Sequence, residues 1–196
     1  MENGLQQIQS LDPERTLGQF FFAIPKEADS EWIFIDGSHV RVHQHASGSR
    51  RGEYRAIGKS PGGPTTKIHM ASDAHGNPLC LEITGGGGGG GRVHNSQVAP
   101  QLIDQISGEI LIATKGYDSE SIREKARSKN MIPFIPKRSN NKNPDKDFDL
   151  QLYRNRHVIE NLFAKLKHYK AIAMRADKLA QNFKAAITYV CTFFMV

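Results

Sequence analysis

The sequence predicts an α/β fold, a mixed β-sheet with helices packed on its faces, and two observations carry that expectation. Before residue 85, three runs rich in β-branched and apolar residues follow one another with turn formers between them. From residue 96 onward, short apolar runs alternate with segments of helical periodicity. The first run is Trp32, Ile33, Phe34 and Ile35, interrupted by Asp36-Gly37 and resumed by residues 39–43, which makes a strand with Asp36 at or inside it. Residues 44–64 shift to Gly, Ser, Pro, Arg and Lys, the composition of a mobile basic loop charged by Arg50, Arg51, Arg55 and Lys59. Residues 66–71 and 79–84 alternate as a hairpin around Asp73-Ala74-His75-Gly76-Asn77-Pro78. Residues 85–91 are all glycine and read as a flexible connection, because they have no side chain to pack and the largest ordering entropy.

The second half continues with a helix from Ser96 through Ile106, a buried strand at 109–113 and a helix over 119–129 with Asp118 placed to cap it. A fifth strand is expected at 131–135, then a basic polar loop over 136–147 holding Lys137, Arg138, Lys142 and Lys146. One helix over 149–169 and a last one over 176–196 complete the chain. Residues 1–29 are weakly patterned, with a short helix around 15–22, and are expected to be an extension of a single domain over 30–196.

Composition narrows the partners. The 196 residues carry 26 Lys and Arg against 20 Asp and Glu, a formal charge of +6 that suits a polyanion. Cys80 and Cys191 are the only cysteines, which excludes a disulfide framework and a paired-cysteine metal site and suits a reducing cytoplasm. The start lacks a signal-peptide pattern, and the apolar end over 185–196 is too short to span a bilayer, so no membrane role is expected. Gly58-Lys59-Ser60 has the ending of a phosphate-binding loop but Glu53 where its first glycine belongs. His43, His45, His69, His75 and His94 have no cysteine partner and read as polar or DNA-contacting residues rather than zinc ligands.

Tyr153, Arg156, Glu160 and Lys167 concentrate the chemistry. At roughly 100° per residue they fall within an arc of about 60° of one helix, about 120° from the apolar stripe of Val158, Ile159, Leu162, Phe163, Leu166 and Tyr169. An exposed face with an Arg156–Glu160 ion pair accounts for the stripe as well as a functional site does. Asp36 on the first strand and Glu160 on this helix can converge at one end of a mixed sheet, where carboxylates suit hard divalent cations and phosphodiester chemistry.

These residues carry a resemblance. With Ile35-Asp36-Gly37-Ser38, Val42-His43-Gln44-His45, Thr65-Thr66-Lys67-Ile68-His69 and Lys115-Gly116-Tyr117-Asp118, the Tyr153, Arg156, Glu160, Lys167 set resembles the catalytic domain of bacterial insertion-sequence DDE transposases. The resemblance covers nearly everything from residue 31 onward. It implies a ribonuclease-H-like fold with helices on both sheet faces, and two aspartates and a glutamate holding Mg²⁺ or Mn²⁺ for DNA cleavage and strand transfer at transposon ends. On that pattern Asp36 and Glu160 are catalytic and metal-binding. Arg156, Lys167, Lys115, Arg50, Arg51 and Lys59 contact DNA, and Tyr153 orients the stripe or stacks near DNA. The implied partners are double-stranded DNA and a second copy or more, in the bacterial cytoplasm at the nucleoid.

The sequence departs from the family pattern at three places. Thr114 stands where the second aspartate belongs, and a neutral hydroxyl cannot replace an anionic oxygen shared by two ions. The glycine tract replaces a turn containing Pro and Gln, and Asn95 stands where an aspartate is common. About thirty residues precede the first strand, so recognition of transposon ends is expected to be missing or supplied by another polypeptide, encoded upstream. A degenerate DNA-binding transposase fragment and a ribonuclease-H-like nuclease of different substrate are the competing expectations.

Overall fold

The computed structural model describes residues 31–47, 55–87, 91–138 and 148–194. Strand β1 (Trp32–Val42) leads into a 3₁₀ turn at Gln44–Ser47, then come β2 (Gly58–Ser60), β3 (Gly63–Ser72) and β4 (Pro78–Gly86). Helix α1 (Gly91–Asp104) precedes β5 (Ile110–Ala113), a 3₁₀ turn at Lys115–Tyr117, α2 (Glu120–Ser128) and β6 (Ile132–Phe134). Three helices follow, α3 (Leu150–Arg154), α4 (His157–His168) and α5 (Lys170–Ala173). The two-residue β7 (Met174–Arg175) and α6 (Ala180–Thr192) end the order.

All seven strands join one mixed sheet around β1, which pairs antiparallel with β3 and parallel with β5 and β7. β3 also pairs antiparallel with β2 and β4, and β5 pairs parallel with β6. Strand alternation sends Phe34 and Val40 of β1 to one face and Ile33 and Ile35 to the other. The first face packs on Ile159, Leu162, Phe163 and Leu166 of α4 and on Phe183, Ile187 and Cys191 of α6. The second packs on Val98, Leu102 and Ile103 of α1, Ile122 and Ala126 of α2, and Cys80 of β4. Helices therefore cover both faces of a mixed sheet, as expected. Among the described residues no helix is long and apolar enough to cross a membrane.

Several elements differ from the sequence expectation. The span 44–64 holds the 3₁₀ turn, β2 and the start of β3, because Pro61-Gly62 closes a tight hairpin in which Ser60 Oγ donates to the Gly63 carbonyl at 2.9 Å. Arg50 and Arg51 lie outside the described residues, as do 139–147 of the second basic loop and the helix expected at 15–22. Of the glycine tract, Gly85 and Gly86 belong to β4, opposite Thr66 and Thr65, Gly91 already belongs to α1, and 88–90 lie outside the described residues. α1 thus begins before Ser96 and accommodates Pro100. Asp118 does not cap α2. Ser119 holds that position, while the Asp118 carboxylate accepts from Arg123 Nη2 at 2.8 Å and from the Arg138 amide at 2.9 Å.

The expected helix over 149–169 is two. The Arg156 amide bonds to the Tyr153 carbonyl and Val158 to Asn155, and this three-residue spacing turns the chain between α3 and α4. Asp149 starts α3 by accepting from the amides of Gln151 and Leu152. The last helix is shorter than expected, preceded by α5 and β7. Arg175 of β7 is fully buried, bonded to Thr66 Oγ1 at 2.7 Å and lying 5.0 Å from the centre of the Phe183 ring.

Candidate active site

Register places the site. Ile35 of β1 faces Ala113 of β5 in the parallel pair, so the next residues, Asp36 and Thr114, meet where β5 ends. Thr114 Oγ1 donates to Asp36 Oδ1 at 3.4 Å, and the Gly37 amide donates to the same oxygen at 2.8 Å. The other oxygen, Oδ2, accepts from Arg156 Nη1 at 3.1 Å. Arg156 Nη2 reaches Glu160 Oε1 at 2.7 Å, one helical turn on. The two acids thus converge on one guanidinium, with Asp36 16% exposed and Glu160 51%. Arg156 Nε is buried and has no hydrogen-bond partner among the described residues. Burial pushes the Asp36 carboxyl above the usual carboxylate range; the Gly37 amide and the Arg156 charge oppose this, and Glu160 adds to it.

The predicted stripe is only partly one surface. Lys167 Nζ donates to Ser38 Oγ at 2.7 Å, two residues along β1 from Asp36, so Arg156, Glu160 and Lys167 do follow that strand. Tyr153 belongs to α3 and is half-buried. Its ring packs edge-on against Phe148, itself stacked on Phe134, and the Arg156 guanidinium lies 5.4 Å from its centre. The exposed-face reading is therefore incomplete: the Arg156–Glu160 pair exists, but the arginine also grips β1. Lys115 is exposed beside Thr114. Lys59 pairs opposite Pro64, six residues along β3 from Met70, the partner of Asp36, roughly 20 Å at strand rise. Asp104 pairs with Lys125 and Asp118 with Arg123, so neither fills the place of Thr114.

Behind Asp36, on the other face of the sheet, lies a buried polar network that sequence reasoning did not assemble. Lys67 Nζ donates to Asn95 Oδ1 at 2.7 Å, and Asn95 Nδ2 donates to the Gly116 carbonyl at 3.0 Å. His69 joins the Tyr117 hydroxyl at 3.1 Å and Thr84 Oγ1 at 3.0 Å. Glycine at 37 makes room for this network, since a Cβ there would fall 2.7 Å from Lys67 Cε and 3.2 Å from the Tyr117 hydroxyl. The available signal was alternation: Gly37 of β1 and Lys67 and His69 of β3 point to one face. The bonds tie the turn after Thr114 to the sheet, which fixes where that hydroxyl stands. His69 is thereby engaged in the interior, and His43 meets His45 ring to ring, with centroids 4.5 Å apart.

The donor set fits one divalent cation. Asp36 and Glu160 already hold a single positive group between them, and hard cations accept one or two carboxylates completed by water and phosphate. Thr114 beside Asp36 is neutral and adds no third carboxylate, and among the described residues no group of three or more His, Cys, Asp and Glu is gathered.

The chain is similar to known transposases. The family model described as the transposase DDE domain matches residues 27–195. A putative transposase for insertion sequence element IS6501 of Brucella ovis is 31% identical over 132 residues, covering 65% of this chain and 95% of that protein. A putative transposase for IS402 of Burkholderia cepacia is 27% identical over 140 residues, 65% of this chain, which spans only 61% of that relative's length. A weaker likeness, with a TM-score of 0.42 and 13% identity, joins 72% of this chain to 31% of a piggyBac transposase solved in a synaptic complex with hairpin DNA. The family match takes in every element that carries Asp36, Thr114, Arg156 and Glu160, and the chain belongs to the transposase DDE-domain family.

Proposed function

We propose that this chain acts on DNA at insertion-sequence ends through metal-dependent phosphodiester chemistry at the Asp36–Glu160 pair, attenuated by the loss of its middle carboxylate. The observation that supports the reading is the register of β1 and β5, which sets the neutral Thr114 hydroxyl against the Asp36 carboxylate. Asp36 and Glu160 would hold Mg²⁺ or Mn²⁺, which supplies Lewis-acid charge to a phosphate at the site. Lys167, beside Ser38, and the exposed Lys115 would position the DNA backbone, an electrostatic contact that carries no sequence information. Tyr153, whose ring lies against the Arg156 guanidinium, would orient the stripe or stack near DNA. A second copy in the DNA complex, a DNA-binding polypeptide encoded upstream, and action at the nucleoid in the bacterial cytoplasm belong to the same reading.

The test is nicking of a supercoiled plasmid carrying insertion-sequence ends, in Mg²⁺ or Mn²⁺. The natural chain is expected to nick weakly, Thr114→Asp to nick at least tenfold faster, a gain of about 1.4 kcal/mol in transition-state stabilisation, and Glu160→Gln not at all. Robust nicking by the natural chain that Thr114→Asp leaves unchanged overturns the attenuation. Failure of all three to nick, with DNA still bound, favours the non-catalytic DNA-binding reading that Thr114 also supports. Competition among duplex DNA, RNA and hybrid at stated salt separates both from a ribonuclease-H-like nuclease, for which a preference for RNA or hybrid is required.

A further inference from the structure

Arg156 is spent on the acids that would otherwise take a cation. Its guanidinium bridges Asp36 Oδ2 at 3.1 Å and Glu160 Oε1 at 2.7 Å, and its buried Nε has no hydrogen-bond partner among the described residues. The planar fork of arginine suits two oxygens of one anion, whereas here its two ends hold two different residues and one donor is idle. Glu160 is half-exposed, so the bridge opens to solvent on that side, and Arg156 sits at the turn between α3 and α4 rather than inside a helix. Lys167 on Ser38 marks the neighbouring surface as cationic, within reach of a polyanion lying along β1.

We propose that Arg156 is an exchangeable internal cation that couples DNA binding to divalent-cation binding. A DNA phosphate takes the guanidinium in a two-oxygen grip and satisfies its idle donor. Asp36 and Glu160 then lose the guanidinium that bridges them, and the pair takes up a divalent ion in its place. Without DNA the arginine competes with the ion and the pair stays closed. The proposal rests on the DNA-binding reading above and adds an order of assembly to it, DNA before metal. Because linkage is reciprocal, the factor by which DNA raises ion affinity equals the factor by which the ion raises DNA affinity.

The experiment measures Mn²⁺ bound to the full chain by electron paramagnetic resonance, with and without a short DNA duplex at constant ionic strength. Glu160→Gln is titrated in parallel to subtract ions held by the DNA itself. The natural chain is expected to bind Mn²⁺ about tenfold more tightly with DNA. Arg156→Gln, its fold checked by circular dichroism, is expected to bind Mn²⁺ more tightly than the natural chain without DNA and to gain less from DNA than the natural chain does. Equal Mn²⁺ affinity of the natural chain with and without bound duplex overturns the proposal, and this arm needs no folded variant. If no duplex binds at any salt, the DNA reading fails instead, and the latch stands or falls on whether Arg156→Gln alone raises Mn²⁺ affinity.

Discussion

At the scale of single residues, two carboxylates balance burial against facing cations with opposite results. At Asp36 burial prevails over the Gly37 amide and the Arg156 charge, while at Asp118 the cations prevail. Burial tends to raise the Asp118 carboxyl, but hydrogen bonds and charge from Arg123 and Arg138 outweigh it and hold the group below the usual carboxylate range. A carboxyl depressed in the folded state adds stability that is present above its unfolded pKa and lost as pH falls through the folded value. Asp118→Asn is therefore expected to cost about 1–2 kcal/mol at neutral pH. The difference from the natural chain should shrink below about pH 4, the ordinary aspartate range. Urea unfolding of both chains at neutral pH and near pH 3 checks this; a difference that persists undiminished in acid assigns the effect to packing. The sequence made Asp36, Thr114 and Glu160 legible as members of one site through separated motifs. It could not show that Arg156 lies between the two acids, because a helical wheel says nothing about which strand stands opposite.

At the scale of elements, the longer strands were legible because β-branched alternation is a local property, as in Ile33 to Ile35 and Ile68 to Met70. The start of the glycine tract is not legible because its order comes from neighbours distant in sequence. A Cβ on Gly58 of β2 would fall 2.3 Å from the Gly86 carbonyl, and Gly87, at φ +89°, would meet the Lys59 carbonyl at 2.0 Å. Only side-chain-free backbone can approach β2 this closely, so Gly85 and Gly86, which look like the start of a linker, form the end of a strand. The break at Asn155-Arg156 is hidden for a related reason: no Pro or Gly marks it, and its Arg156 reaches a strand distant in sequence. The elements α5 and β7 are too short for any periodicity to reveal, and β7 exists through its pairing with Arg41 and Val42. Gly58→Ala is expected to destabilise the fold by about 2–3 kcal/mol, as overpacking against rigid backbone does. Thermal melting measures it. A melting temperature unchanged within error would mean that β2 lies free of β4 in solution.

At the scale of the whole molecule, one sheet separates two cores, and each core holds one of the two cysteines. Cys80 of β4 lies with α1 and α2, and Cys191 of α6 lies on the opposite face with α4. Both are buried free thiols, and burial pushes each up to about 12, so neither supplies thiolate near neutral pH. Glu82 adds to the Cys80 shift, which the Lys184 charge opposes. Reaction with a thiol reagent at pH 8 therefore requires that the covering helix leave the sheet, and each cysteine reports on its own face. The faces share β1, whose alternate side chains enter both cores, so losing one core strips the strand that supports the other. The two thiols are expected to react at one common rate in the folded chain, slower by orders of magnitude than in urea, and to become reactive together across the urea transition. Mass spectrometry of the labelled peptides resolves the two sites. Early labelling of Cys191 alone would show that α6 opens as a separate unit while β1 still packs on α1, and the molecule would then have two cooperative halves rather than one.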